Sequence, residues 1–188
     1  SSRQLAALST TAVAGLTTAQ IEALTPSQIR GLTGTQLGAL ADTQMAALTA
    51  TQLSALTTTQ IQGIGTTGIH EMTMAQLAAL SSRQISALNA TAIGAFSSVQ
   101  LQALTSLQLG GLTSTQIKSL GTTAVAALNT TQLQALTTAQ LAGLGSAQAE
   151  HLSLAQLAAL SSSQLAALSV SAVKGLQSTQ IASLNPDK

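Results

Sequence analysis

TTAQIEALTPSQIRGL, residues 17 to 32, holds two octads in tandem, and how those residues are read decides the fold. Each octad opens on Thr (Thr17, Thr25) and places Gln three residues later (Gln20, Gln28). Each then sets Ile after the Gln (Ile21, Ile29) and closes on Leu (Leu24, Leu32). Ser/Thr-x-x-Gln is the grammar of a capping box. The hydroxyl accepts from the backbone N–H three residues on, and the Gln side chain reaches back to the N–H of the cap. Leu24, just before the cap, and Ile29, four residues after it, have the spacing of a hydrophobic staple. Pro26 directly follows its cap, where a missing backbone donor costs nothing and the fixed φ suits helix entry. The stretch predicts two short helices of about a turn and a half, at ~3.6 residues per turn, joined by a sharp bend at Leu24-Thr25.

The same octad fills the chain with no insertion to break its phase. Every multiple of eight from Leu8 to Leu184 is apolar, with Ile64, Met72 and Phe96 the only departures from Leu. The residue after it is Ser, Thr, Asn or Gly except at Ala41 and Gln177, the composition of an N-cap. Gln occupies the place three further on in 18 of 23 octads, so the capping box is the rule and not a local accident. The next position is apolar throughout, shrinking only to Ala149. The penultimate place is Ala, Gly or Ser except at Glu71 and His151, which fits close approach of neighbouring backbones, and the freely varying place before it faces solvent. Pro186 repeats the Pro26 position. Helices this short are marginal alone, so they must be stabilised by stacking Leu, Ile and Ala on adjacent repeats. A β-solenoid would also repeat evenly and tolerate Thr, but Gln and Ala are poor strand formers and the capping grammar would then be coincidence.

Two longer periods lie above the octad. Gly takes the penultimate place at Gly15, Gly31, Gly63, Gly111, Gly143 and Gly175, all at one phase of a two-octad period. Ala12, Ala92, Ala124 and Ala172, which replace Gln, share one such phase as well, and Val13, Val125 and Val173 sit there too. The expectation is an all-α fold, a tight α-solenoid of short capped helices with two octads per coil, a unit of sixteen. That coil is shorter than the 33- to 47-residue units of familiar helical repeats. AQLAALSS recurs at Ala75 to Ser82 and Ala155 to Ser162, an offset of ten octads, or five such coils. Residues 1–188 read as one octapeptide-repeat solenoid, a piece of a longer array.

Composition narrows the function. The chain has 188 residues, of which 45% are hydrophobic, enough for a sizeable core, while charged residues supply 6% against about 25% in typical domains. A net charge of +1 with scattered Lys and Arg gives no stripe to neutralise phosphates, and 1% aromatics gives no stacking platform, so no nucleic acid is expected as partner. Mean hydropathy is +0.39, yet a polar residue interrupts every octad and no run approaches the ~18 apolar residues of a spanning helix, so no membrane insertion is expected. There is no Cys for disulfides or thiolate metal sites, and no signal peptide is evident.

The LTxxQ(I/L)xA octad resembles octapeptide tracts in very large secreted, adhesin-like surface proteins of bacteria, and the resemblance runs the length of the chain. It implies a spacer or stalk placed outside the cell or at its surface, and it carries over no catalytic residue. Read from the residues themselves, the best chemical candidates are the two histidines, each beside a carboxylate, in His70-Glu71 and Glu150-His151. A histidine next to a carboxylate suits metal binding or proton transfer, but adjacent helix positions do not share a face. At about 9 Å per stacked helix, five coils put the pairs on the order of 45 Å apart, so they do not share one ion. A solvated edge is the expectation, with no metal and no cofactor.

No Ser has a local His base and orienting group, and G-x-S-x-G is absent, so no enzyme is expected. Asn89 and Asn129 open glycosylation sequons, but both occupy cap positions. Met74, Leu154, Val99, Leu107 and Val170 place apolar side chains near caps, as scattered surface residues often do. Two function classes stand: a structural spacer or extended interaction surface, and an ice- or surface-binding array built on its ranks of Thr and Ala. Exposed apolar ends predict end-to-end self-association.

Overall fold

The computed structural model describes residues 1–184 and divides them, by the contacts they make, between two compact units, one spanning Ser1–Ala95 and the other beginning at Phe96. Among the described residues the secondary structure is all helical: one helix of four to six residues in each octad, with no strand. Thr18–Glu22 and Pro26–Ile29 are the two helices expected from the opening stretch. Thr25 Oγ1 accepts from the Gln28 N–H and Gln28 Oε1 accepts from the Thr25 N–H, so the box closes in both directions. Pro186, expected at a first helical position, lies outside the described residues.

The joint between helices is simple. Leu56, at φ −65° and ψ 142°, ends one helix, and Thr57, at φ −74° and ψ 160°, caps the next. Two extended residues in succession therefore turn the chain. No described residue has positive φ, so neither a left-handed glycine nor a Schellman ending is used. The last turn of each helix tightens instead, as where the Leu56 N–H donates to Leu53 O at 3.1 Å.

The packing of successive helices overturns the two-octad coil. Within the first unit, the helix Ser2–Ala6 packs on Pro26–Ile29 and Gly34–Gly38 packs on Thr58–Ile61. Within the second, Ser114–Ser119 packs on Thr138–Leu141 and Ser146–Glu150 on Val170–Gly175. Each partner lies three octads away, and side-chain hydrogen bonds between successive layers span 25 to 31 residues. One coil thus takes between three and four octads. A coil of between three and four octads means that each joint turns the chain by about a third to a quarter of a circle, where folding back after two would need a reversal at each joint.

Four of the penultimate glycines are held by close backbone approach. A side chain at Gly31 would overlap the backbone of Ser2, one at Gly63 that of Gly34, one at Gly143 that of Ser114 and one at Gly175 that of Ser146. In each pair the later octad's penultimate residue meets the first helical residue of the octad three before it. Because three is odd, alternate octads interleave round the coil and do not line opposite faces. The ten-octad recurrence, read as five coils, loses that meaning.

The core runs up the inside of each unit. Ile21, Ile29, Leu37, Leu53, Ile61 and Ile69 in the first unit are fully buried, as are Leu101, Leu109, Leu141 and Leu157 in the second. Each fully buried Leu or Ile contributes about 2 kcal/mol. Residues two before the closing apolar position, such as Glu22, Gln62 and Lys118, are exposed as the pattern predicted, with only Ser86 half-buried among the described residues.

Candidate functional site

The Gln layer is the most distinctive chemistry the fold assembles. A carboxamide that only closed a capping box would sit at the surface, yet Gln36, Gln44 and Gln52 are each 2% exposed. Gln52 explains why. Its Oε1 accepts from the Thr49 N–H at 2.7 Å, while its Nε2 donates to Ile21 O at 2.8 Å, Glu22 O at 3.2 Å and Leu24 O at 2.7 Å. These carbonyls lie at the end of helix Thr18–Glu22, where the supply of intrahelical N–H donors runs out, and Ile21 O also accepts from the Leu24 N–H at 3.2 Å. One side chain thus caps the start of its own helix and the end of a helix 28 to 31 residues earlier.

The pattern holds in both units. Gln84 Nε2 reaches Leu53 O and Leu56 O in the first, and Gln132 Nε2 reaches Leu101 O, Gln102 O and Leu104 O in the second. A net contribution of about 1 kcal/mol per bond, repeated wherever the Gln Nε2 meets an earlier coil, makes the layer a main source of adhesion between coils. The acceptor half of this role follows from the capping grammar, and the donor half does not. One signal was present: a capping box accepts Glu as readily as Gln, yet no octad uses Glu there, because Glu has no N–H to donate.

Where Ala replaces Gln, the cap residue can take over the donation. Asn89 Oδ1 accepts from the Ala92 N–H at 2.8 Å while its Nδ2 donates to Ile64 O at 3.3 Å. Ser169 Oγ accepts from Ala172 and donates to Leu144 O at 3.0 Å. Asn129 likewise caps, accepting from the Gln132 N–H at 2.8 Å. A second set of straps lies outside the coil, where Arg30 Nε donates to Ala55 O at 2.7 Å, Gln102 Nε2 to Ala127 O at 2.8 Å and Gln134 Nε2 to Ala159 O at 3.1 Å.

The octads are ALTTAQ repeats. The family's sequence profile matches residues 1–34, 69–106, 106–138 and 125–162, which together make up more than half of the chain. The chain belongs to the ALTTAQ repeat family. The six letters appear literally at Ala135 to Gln140, which span the closing Ala-Leu of one octad and the capping box of the next. The ALTTAQ signature therefore includes both the bend and the box that follows it. No curated protein matches the chain. Residues 35–68 lie outside the matched segments, yet Thr49–Gln52 and Thr57–Gln60 close their boxes and both Gln side chains bond the earlier coil in the same way as ALTTAQ repeats elsewhere.

The His–carboxylate candidates are dispersed by this architecture. His70, Glu71, Glu150 and His151 are all exposed, His70-Glu71 in the first unit and Glu150-His151 in the second. His151 Nδ1 lies 2.8 Å from Ala147 O, one turn earlier in its own octad. The separation estimated for the two pairs rested on the two-octad coil and falls with it. Among the described residues no group of three or more His, Asp or Glu is arranged to hold a metal, and no helix is long and apolar enough to cross a membrane. Met74, Val99, Leu107, Leu154 and Val170 are exposed, as their cap-proximal places predicted.

Proposed function

We propose that this chain is a structural repeat region, a spacer or extended interaction surface in a large secreted or surface protein of bacteria, and not an enzyme. The observation that carries the reading is the dual use of Gln. Each coil presents carbonyl acceptors and the next supplies amide donors, so a coil can be added without designing a new interface, and stability grows by nearest-neighbour terms. The octapeptide resemblance supports the placement at the cell surface.

Duplicating Ser97–Leu152 in tandem adds seven octads, which a coil of about three and a half accommodates as two whole turns. A spacer keeps its helical circular dichroism signal per residue and melts no lower than the parent chain. A lower melting temperature or loss of helicity per residue would count against it. Ice binding, the second class, is tested by thermal hysteresis; a measurable gap between melting and freezing points would replace the spacer reading.

The same donor–acceptor logic supports end-to-end association. Gln4, Gln20 and Gln28 have no Nε2 acceptor among the described residues, and Gln4 and Gln20 are exposed, which suits the docking of another coil from a second copy or from a longer chain. Association that rises with concentration in analytical ultracentrifugation, and weakens when these three Gln become Ala, is the expected result. Strict monomers at high concentration would contradict it.

A further inference from the structure

Two octads, Gly65–Met72 and Gly121–Leu128, carry neither the Gln nor a capping side chain, and the first of them opens a cleft within its own unit. Gly65–Met72 carries Gly68 in the Gln place and Gly65 in the cap place, so neither side chain supplies a donor or an acceptor. Counting back from Gly68 by the Gln52 offsets of 31, 30 and 28 residues reaches Leu37, Gly38 and Leu40. Those three residues line a cleft of about 180 Å³ together with Gly65, Gly68, Met45 and, at its rim, the exposed Asp42, Thr66 and Thr67. Leu40 is partly exposed there, whereas Leu32 and Leu48 in the flanking octads are buried. At about 30 Å³ per water, the cleft has room for several.

Its polar groups are those a carboxamide would have joined. Elsewhere the cap N–H donates to a Gln Oε1, as Thr73 does to Gln76 at 2.7 Å, and the closing carbonyl accepts from a Gln Nε2, as Leu48 does from Gln76 at 2.6 Å. The Gly65 N–H and Leu40 O have neither partner among the described residues. We propose that this cleft is a binding site for a primary carboxamide. The amide oxygen faces the Gly65 N–H and the amide nitrogen faces Leu40 O and its neighbours, reproducing the missing Gln. A carboxylate lacks the donors and would meet Leu40 O and the Asp42 carboxylate; an alkylammonium lacks the acceptor for Gly65. The cleft is smaller than the ~300 Å³ of a typical drug-sized site, which suits one small polar group. Ile64 Cγ2 and Met45 Cε occupy the space that a Cβ at Gly68 would need, so the ligand enters from the rim and fills only the outer part of the Gln position.

Gly65 offers the test. A side chain there would meet nothing within 4 Å, its backbone is extended, and Asn at this place would stand in the same relation to Leu40 O as Asn89 does to Ile64 O, 25 residues apart. Titration of the full chain with propionamide, followed by the amide resonances of Gly65, Gly38 and Gly68, is expected to give saturable shifts in the millimolar range. Propionate and propylammonium are expected to bind about tenfold more weakly or worse, each lacking half the hydrogen-bonding pattern. Gly65→Asn is expected to abolish the shifts with the helical spectrum unchanged, and Gly65→Ala, which adds no hydrogen-bonding group, to retain them within about threefold. N-acetylglutamine N-methylamide distinguishes the source: binding equal to or tighter than that of propionamide assigns the site to Gln side chains of a polypeptide, and weaker binding assigns it to free small amides. Absence of saturable shifts with propionamide, equal shifts from propionate or propylammonium, or wild-type binding by Gly65→Asn would overturn the proposal.

Discussion

Gln20 and Gln52 occupy octads with the same local grammar, yet they do different work. Both accept from the N–H of a capping Thr, at 2.8 Å and 2.7 Å, and both follow a hydroxyl that accepts from their own backbone. Gln20 is exposed, and its Nε2 has no acceptor among the described residues. Gln52 is buried, with its Nε2 shared among three carbonyls at the end of the helix that contains Ile21. The difference lies in what each residue meets in space: Gln52 Nε2 meets the helix end at Ile21 to Leu24, and Gln20 meets no such helix end among the described residues. Local sequence therefore forms the helix, and position in the stack decides whether the same side chain also joins two coils.

Substitution with Glu should widen this difference most. Gln52→Glu keeps an acceptor for Thr49 but directs a buried carboxylate at three carbonyl oxygens, a loss of about 4 kcal/mol in urea denaturation at neutral pH. Gln20→Glu places its carboxylate at an exposed helix start and should change stability by less than about 0.5 kcal/mol. Lowering the pH should recover part of the Gln52→Glu loss, since the protonated carboxyl regains a donor, and should leave Gln20→Glu nearly unchanged. Equal effects at both positions would show that the carbonyl bonds contribute little.

Glycine gives the next largest contrast. Gly63→Ala overlaps the Gly34 backbone, so two helices must separate, at about 3 kcal/mol by the same measurement. Gly15→Ala would meet only carbonyls of its own turn at 3.5 Å, and should stabilise by about 0.5 kcal/mol through reduced backbone freedom in the unfolded chain. Gln52→Ala removes the bonds without adding charge and should cost about 2 kcal/mol, against about 0.5 kcal/mol for Gln20→Ala, a gap readable in melting temperature. The smallest effect belongs to the exposed pairs. Changing His70, Glu71, Glu150 and His151 together to Ala should leave stability within about 0.5 kcal/mol, because Ala is ordinary at these helix positions. Elemental analysis showing a metal in the parent chain but not in this variant would contradict the solvated-edge reading.

The sequence by itself determined each local element. Thr25, Pro26, Gln28 and Ile29 specify where a helix starts through contacts within four residues, and the Leu-Thr joint specifies where it ends, so all of these were legible in one octad. The lack of both a Gln and a capping hydroxyl in Gly65–Met72 was visible as well, although the cleft that results was not, because its other wall comes from Leu37 to Leu40. Only the tertiary structure decided the coil. Gly confined to alternate octads is what a two-octad coil would produce, but it is also what an odd offset of three octads permits, and the sequence does not separate them. The choice between them rests on how far two extended residues turn the chain and on whether the Nε2 of Gln52 meets Ile21 and Leu24. The second is a property of elements 28 to 31 residues apart, to which capping rules acting within a single turn are blind.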